Sequence, residues 1–105
     1  MTMGWVTVAK KNELSEGQTK AFVVEGKDIA IAQVKGNYYA FFNECSHAQF
    51  PIDQGTLSDT VIECPHHGAT FDITTGEALT LPAVTPLKIF KVKVDGEEIK
   101  ICFED

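Results

Sequence analysis

Apolar and β-branched residues fall in short runs separated by small turn signals, the pattern of an all-β domain. The first run, residues 5–9, predicts a strand. Residues 12–17 then read as a turn or one short helical turn. Strands are predicted over 20–24, 28–34 and 38–42, with Ile29 and Ile31 on one face of the second. Glu25-Gly26 and Lys35-Gly36 are tight-turn pairs, so these three strands form a meander. Toward the C-terminus, residues 87–94 place Phe90, Val92 and Val94 on one face and Lys91 and Lys93 on the other. Asp95-Gly96 is a hairpin signal, and in the following strand, 98–103, Ile99, Ile101 and Phe103 share a face. Cys102 falls opposite that row, the place of a small filler against a neighbouring layer. Trp5, Tyr38, Tyr39, Phe41 and Phe42 read as core and sheet packing. The pattern predicts an all-β fold, an antiparallel β sandwich or layered sheets.

Residues 43–86 break this rhythm. They hold every histidine, two of the three cysteines and all four prolines, and offer strands only at 60–63 and 70–73. A segment of this kind between two sets of good strands reads as loops carried by a rigid frame, where functional groups are commonly found. At 105 residues the chain suits one domain, spanning 1–105 with 43–86 inserted in it. A chain of that size buries roughly 60 to 65% of its unfolded surface.

Charge narrows the function classes. Fifteen acidic residues face nine basic ones, all Lys, for a net charge of −6. With no Arg and little concentrated positive charge, a nucleic-acid partner is not expected. The N-terminus lacks the basic flank and apolar run of a signal peptide, and no stretch is long and apolar enough to span a bilayer. A cytoplasmic protein without membrane association is expected. The odd cysteine count also fits poorly with a secreted disulfide framework. Gly55 and Gly76 are assigned to turns, and no Gly-x-Gly-x-x-Gly pattern supports a nucleotide site.

Two ligand-like clusters remain, Cys45-Ser46-His47 and Cys64-Pro65-His66-His67-Gly68, with sixteen residues between His47 and Cys64. Thiolate and imidazole are the groups expected around zinc or around an iron–sulfur cluster with mixed ligation. The short Cys45–His47 spacing is awkward for one tetrahedral zinc. In a two-iron centre each loop can give its thiolate to one iron and its imidazole to the other, which favours the cluster but leaves zinc open. In the second motif both His66 and His67 are conceivable partners of Cys64.

Cys-x-His, a gap, then Cys-x-x-His-Gly resembles the Rieske signature, and the whole chain is similar to the small Rieske ferredoxins of bacterial aromatic-ring-hydroxylating dioxygenase systems. That resemblance implies the Rieske iron–sulfur fold and one [2Fe-2S] cluster per chain, held by Cys45 and Cys64 on one iron and His47 and His67 on the other. It selects His67 and leaves His66 a non-ligand. Gly68 would then allow close backbone approach to the inorganic sulfides. High-potential Rieske proteins carry two further cysteines that staple the ligand loops; Phe50 and His66 occupy those positions here. Ala69 and Phe71 likewise replace hydroxyl residues that stabilise the added electron, which implies a potential near about −150 mV rather than +300 mV. Pro82 and Pro86 belong to a third loop resembling the family's cover over the cluster.

By the same resemblance the protein is not an enzyme but an electron carrier. It would accept electrons from a flavin-containing, nicotinamide-dependent ferredoxin reductase and pass them to a terminal oxygenase. A transient docking surface is expected, with Phe50, Pro51 and Pro82 as an apolar rim and Glu44, Asp53, Asp59 and Glu63 as acidic steering groups. The alternatives are a Rieske carrier serving a different acceptor and a structural Cys2His2 zinc-binding domain.

Overall fold

The computed structural model describes residues 4–44, 51–53, 55–65, 68–80 and 86–103. Cys45, His47, His66 and His67 lie outside the described residues, as do Phe50 and Pro82. Nine strands occur among the described residues: β1 Gly4–Lys10, β2 Thr19–Val24, β3 Lys27–Val34, β4 Asn37–Phe42, β5 Thr56–Ser58, β6 Val61–Glu63, β7 Thr70–Asp72, β8 Ile89–Asp95 and β9 Glu98–Phe103. Where the sequence predicts a turn or short helical turn over 12–17, a 3-10 turn covers Lys11–Glu13 and a turn follows at Glu16 and Gly17.

The strands form two sheets. Six of them pair in the order β1-β9-β8-β4-β3-β2, and β5-β6-β7 form a smaller sheet, every neighbouring pair being antiparallel. The edge strands β1 and β2 come back into contact, so the large sheet is curled on itself. Inside the curl lie Ala9, Leu14, Val24, Ile29, Ile31, Ala40, Ile99 and Ile101. The opposite face of β3 carries Ala30, Ala32 and Val34, and with Phe41 these pack against Ile62, Phe71 and Ile73 of the small-sheet region. Strand β3 is thus buried on both faces and serves as the wall shared by two cores. The layered all-β fold expected from the sequence is present.

The turns follow the residues available to them. Glu25 and Gly26 take φ +52 and +79, and Lys35 and Gly36 take +53 and +80. Two consecutive positive φ values give a two-residue turn whose twist matches that of the flanking strands. At the last hairpin the expectation shifts by one residue. Asp95 pairs with Glu98, so Gly96 and Glu97 are the central pair, with Gly96 at φ +63.

Three other expectations change. Strand β5 was not foreseen, because Thr56-Leu57-Ser58 offers one half-buried apolar side chain. Val94 is 43% exposed, since it lies near the hairpin end, beyond the part of β8 covered by the curl. Trp5 is also 43% exposed and lies outside the core; its ring receives Lys93 Nζ 5.0 Å from the centroid, a cation–π contact on the outer face. Cys102 is 3% exposed, in keeping with its reading as a buried filler.

Candidate metal centre

The small sheet is a platform for the middle of the chain. Its two long-range attachments centre on Glu63 and Thr70, which face each other across β6 and β7. One residue further on, the Cys64 amide donates to the Ala69 carbonyl at 2.7 Å. This bond joins the residues on either side of the segment 65–68. Gly68 has φ +72, a left-handed conformation that glycine adopts without steric cost. A side chain there would also meet Glu63 Oε2 at 3.3 Å.

The return of the first cysteine–histidine segment reaches the same place. Ile52 is fully buried in the core that also holds Cys64, Ala69 and Phe71. Gly55 packs directly on the Glu63 carbonyl, leaving no room for a Cβ, and Thr56 pairs with Glu63. The chain that follows Cys45 and His47 is therefore fastened beside Cys64.

The segment preceding the third loop comes to the other partner, Thr70. Leu79 N donates to the Thr70 carbonyl at 2.8 Å, and the hydroxyls of Thr70 and Thr80 lie 2.7 Å apart. The loop closes where the Leu87 amide donates to the Gly76 carbonyl at 2.7 Å. Gly76 is required there: its φ is +85, and a Cβ would collide with the Leu87 carbonyl. Beyond this closure, Phe42 N bonds the Lys88 carbonyl at 2.8 Å and returns the chain to the large sheet.

Of the four ligand candidates, the described residues place Cys64, which is 1% exposed and belongs to the core. Cys45, His47 and His67 lie outside them. The described residues that flank them nonetheless meet at one end of the small sheet, around the Glu63–Thr70 pair. A donor set of two thiolates and two imidazoles, in two segments whose described flanks are adjacent, fits a two-iron two-sulfur group. Ala69 and Phe71, both fully buried in the Cys64 core, supply no side-chain hydroxyl. A separate cavity of about 380 Å³ lies on the outer face of β8 and β9, lined by Thr74, Lys88, Ile89, Phe90, Lys91 and Cys102. Among the described residues, Cys64 does not line it.

Two supporting features were missed from the sequence. One is the Thr70–Thr80 contact. The other is Asn43, which is 4% exposed and hydrogen-bonds residues nine to fifteen positions away. Either would pass for an ordinary polar loop residue, because its partners become visible only once the chain is folded.

Charge is unevenly distributed along the chain. The segment 43–86 contains Glu44, Asp53, Asp59, Glu63, Asp72 and Glu77 but no Lys or Arg, while the remainder has equal numbers of acids and lysines. The net charge of −6 therefore resides wholly in the inserted loops and small sheet.

Comparison with known proteins agrees with this architecture. The family profile described as the Rieske [2Fe-2S] domain matches residues 4–91. The chain is 37% identical over 101 residues to the ferredoxin component of the naphthalene 1,2-dioxygenase system of Pseudomonas aeruginosa, covering 96% of this chain and 97% of that protein. The solved ferredoxin of carbazole 1,9a-dioxygenase from Nocardioides aromaticivorans IC177 superposes with a TM-score of 0.88 at 37% identity, covering 92% of this chain and 95% of that one. A ferredoxin solved in complex with the oxygenase of carbazole 1,9a-dioxygenase is similar at 31% identity and a TM-score of 0.87, with 92% and 91% covered. The inserted loops on a curled antiparallel sheet, the buried Cys64 and the match over residues 4–91 make this chain a member of the Rieske [2Fe-2S] family.

Proposed function

We propose that the chain is the ferredoxin of a multicomponent aromatic-ring dioxygenase system, working in the cytoplasm as a one-electron carrier. It takes electrons from a flavin-containing, nicotinamide-dependent reductase and delivers them to a terminal oxygenase. The observation that carries this reading is the extent of the likeness, 96% of this chain against 97% of a naphthalene dioxygenase ferredoxin component.

Cys45 and Cys64 are assigned to one iron, and His47 and His67 to the other. When bound, the cluster supplies a site for a single electron. The chain's own work is to hold it, to limit water around the thiolate side and to present the histidine side to partners. Cys64 sits in an apolar core, which suits the first two tasks. Backbone and solvent dipoles must absorb the charge added on reduction, and Ala69 and Phe71 contribute no hydroxyl to that environment. This supports a potential near the low end of the Rieske range.

The net negative charge of 43–86 suits partner surfaces that are basic near their own redox centres. Exposed Pro51 belongs to the proposed apolar part of the docking surface. Among the described residues, no helix is long and apolar enough to cross a membrane.

Reconstitution tests the reading. With a flavoprotein reductase and a naphthalene-type terminal oxygenase, the purified protein is expected to make nicotinamide-driven substrate oxidation depend on its concentration. A protein that is reduced by the reductase but passes no electrons to any ring-hydroxylating oxygenase would instead be a Rieske carrier for another acceptor.

A further inference from the structure

Asn43 is the sole buried polar or charged residue among the described residues. An Asn side chain has two donor hydrogens and an oxygen able to accept two hydrogen bonds, and here all are used. Nδ2 donates to Asp53 Oδ1 at 2.7 Å and to Asp28 Oδ2 at 3.2 Å. Oδ1 accepts from the amides of Ile52 at 2.9 Å and Asp53 at 2.8 Å. The backbone adds a fifth bond, from Asn43 N to the Asp28 carbonyl at 2.8 Å.

These partners lie at meaningful places. Asn43 follows the end of β4, and Asp28 lies near the start of the neighbouring strand β3. Ile52 and Asp53 stand where the chain returns from the segment holding Cys45 and His47. One side chain therefore joins the departing end of that segment to its returning end and ties both to the rigid wall of the fold. Ile52, fully buried, sets the return on the apolar side, and Gly55 against the Glu63 carbonyl fixes it beside Cys64.

We propose that Asn43 is a positioning residue for the cluster, a latch that joins the two described flanks of the segment containing Cys45 and His47 and thereby governs how readily the cluster is released. The proposal rests on the assignment of Cys45 and His47 as ligands. Loss of a multidentate group from a protein requires at least one ligand loop to move away. With the latch intact, parting the two flanks of the Cys45–His47 segment breaks bonds at a buried site, two of them to carboxylates, where an unmade hydrogen bond is costly. Without it, the loop loses its hydrogen-bonded closure, and the entropy of an open loop opposes religation. The bonds join protein to protein and use no cluster atom, so what they contribute is preorganisation of the first pair of ligands.

The test follows iron release from the holoprotein into an excess of chelator, by loss of visible absorbance, together with the electron paramagnetic resonance signal of the reduced protein. Asn43→Ala is expected to release iron at least about tenfold faster than wild type, with altered g-values. Asp53→Ala removes one of the four side-chain bonds outside the core and is expected to give a smaller acceleration. Gln33→Ala is the control: it breaks the Gln33 Nε2 bond to the Leu14 carbonyl, 3.0 Å long, which shares no partner with the Asn43 bonds. Its release rate and spectrum should stay at wild type even as its melting temperature falls.

Cys45→Ser separates this proposal from the ligand assignment. If that variant keeps the full wild-type cluster, the assignment fails and the latch with it. If Cys45→Ser empties the site while both latch variants release iron at the wild-type rate, the latch alone is wrong. Equal acceleration by Gln33→Ala at equal loss of stability would likewise overturn it.

Discussion

The amide of Cys64 donates to the carbonyl of Ala69 across 2.7 Å, so a proposed iron ligand also extends the pairing of β6 with β7 by one residue. The backbone of Cys64 thus continues the β6–β7 ladder while its side chain enters the core between the two sheets. A residue held at both backbone and side chain has little freedom to follow a moving ligand. The fold imposes its geometry on the metal centre from this side.

Ala69 and Phe71 bear on the potential. Wild-type protein is expected to titrate near about −150 mV. Phe71→Tyr or Ala69→Ser, by adding a donor beside the thiolate side, should raise the midpoint by on the order of 50 mV, about one neutral hydrogen bond expressed for one electron. A redox titration of both variants checks this. A wild-type midpoint well above zero would refute the low-potential reading.

Gly76 should tolerate no side chain. Gly76→Ala combines a left-handed φ of +85 with a collision at the Leu87 carbonyl. A loss of about 2 kcal/mol is expected, lowering the melting temperature by roughly 10 °C. Calorimetry of the purified protein measures it.

The ion pair between Lys35 and Asp59, 3.4 Å long, links the β3–β4 turn to the β5–β6 turn, but its side chains are 77% and 61% exposed. Lys35→Ala should change stability by less than about 0.5 kcal/mol. By contrast Phe41→Ala, which empties a fully buried site in the core shared with Cys64, should cost about 3 to 5 kcal/mol. Urea denaturation of the two variants should show that contrast, because the sheets are joined by packing rather than by surface charge.

Electron delivery to the oxygenase should slow as salt is added, since the acids of 43–86 have no lysine among them. Glu63→Lys, at an exposed position beside Cys64, is expected to slow association and flatten the salt dependence. Stopped-flow electron transfer at several ionic strengths reads both effects.

Much of this fold was legible because strong local signals agreed with the tertiary result. Glu25-Gly26 and Lys35-Gly36 mark turns that need positive φ, and the alternation in β8 and β9 sorts Ile99 and Ile101 inward. Strand β5 was not legible, because it is held by pairing with β6 and by Gly55 on Glu63 rather than by its own apolar residues. The double burial of β3 was half visible: Ile29 and Ile31 announced one core, while Ala30 and Ala32, small enough for close packing, concealed the other. The ligand motifs stood out by residue type. Asn43 did not, since nothing in one asparagine shows that Asp28 and Asp53 will meet at its amide.

The central claim is that Cys45, His47, Cys64 and His67 hold one Rieske cluster. It is tested most directly by iron and acid-labile sulfide analysis joined to electron paramagnetic resonance of the reduced protein, with His67→Ala and His66→Ala in parallel. Wild type should contain two irons and two sulfides per chain and show the lowered average g-value of mixed cysteine and histidine ligation, which His67→Ala should abolish and His66→Ala should retain. One zinc per chain with no reduced-state signal, or loss of the cluster in His66→Ala alone, would contradict it.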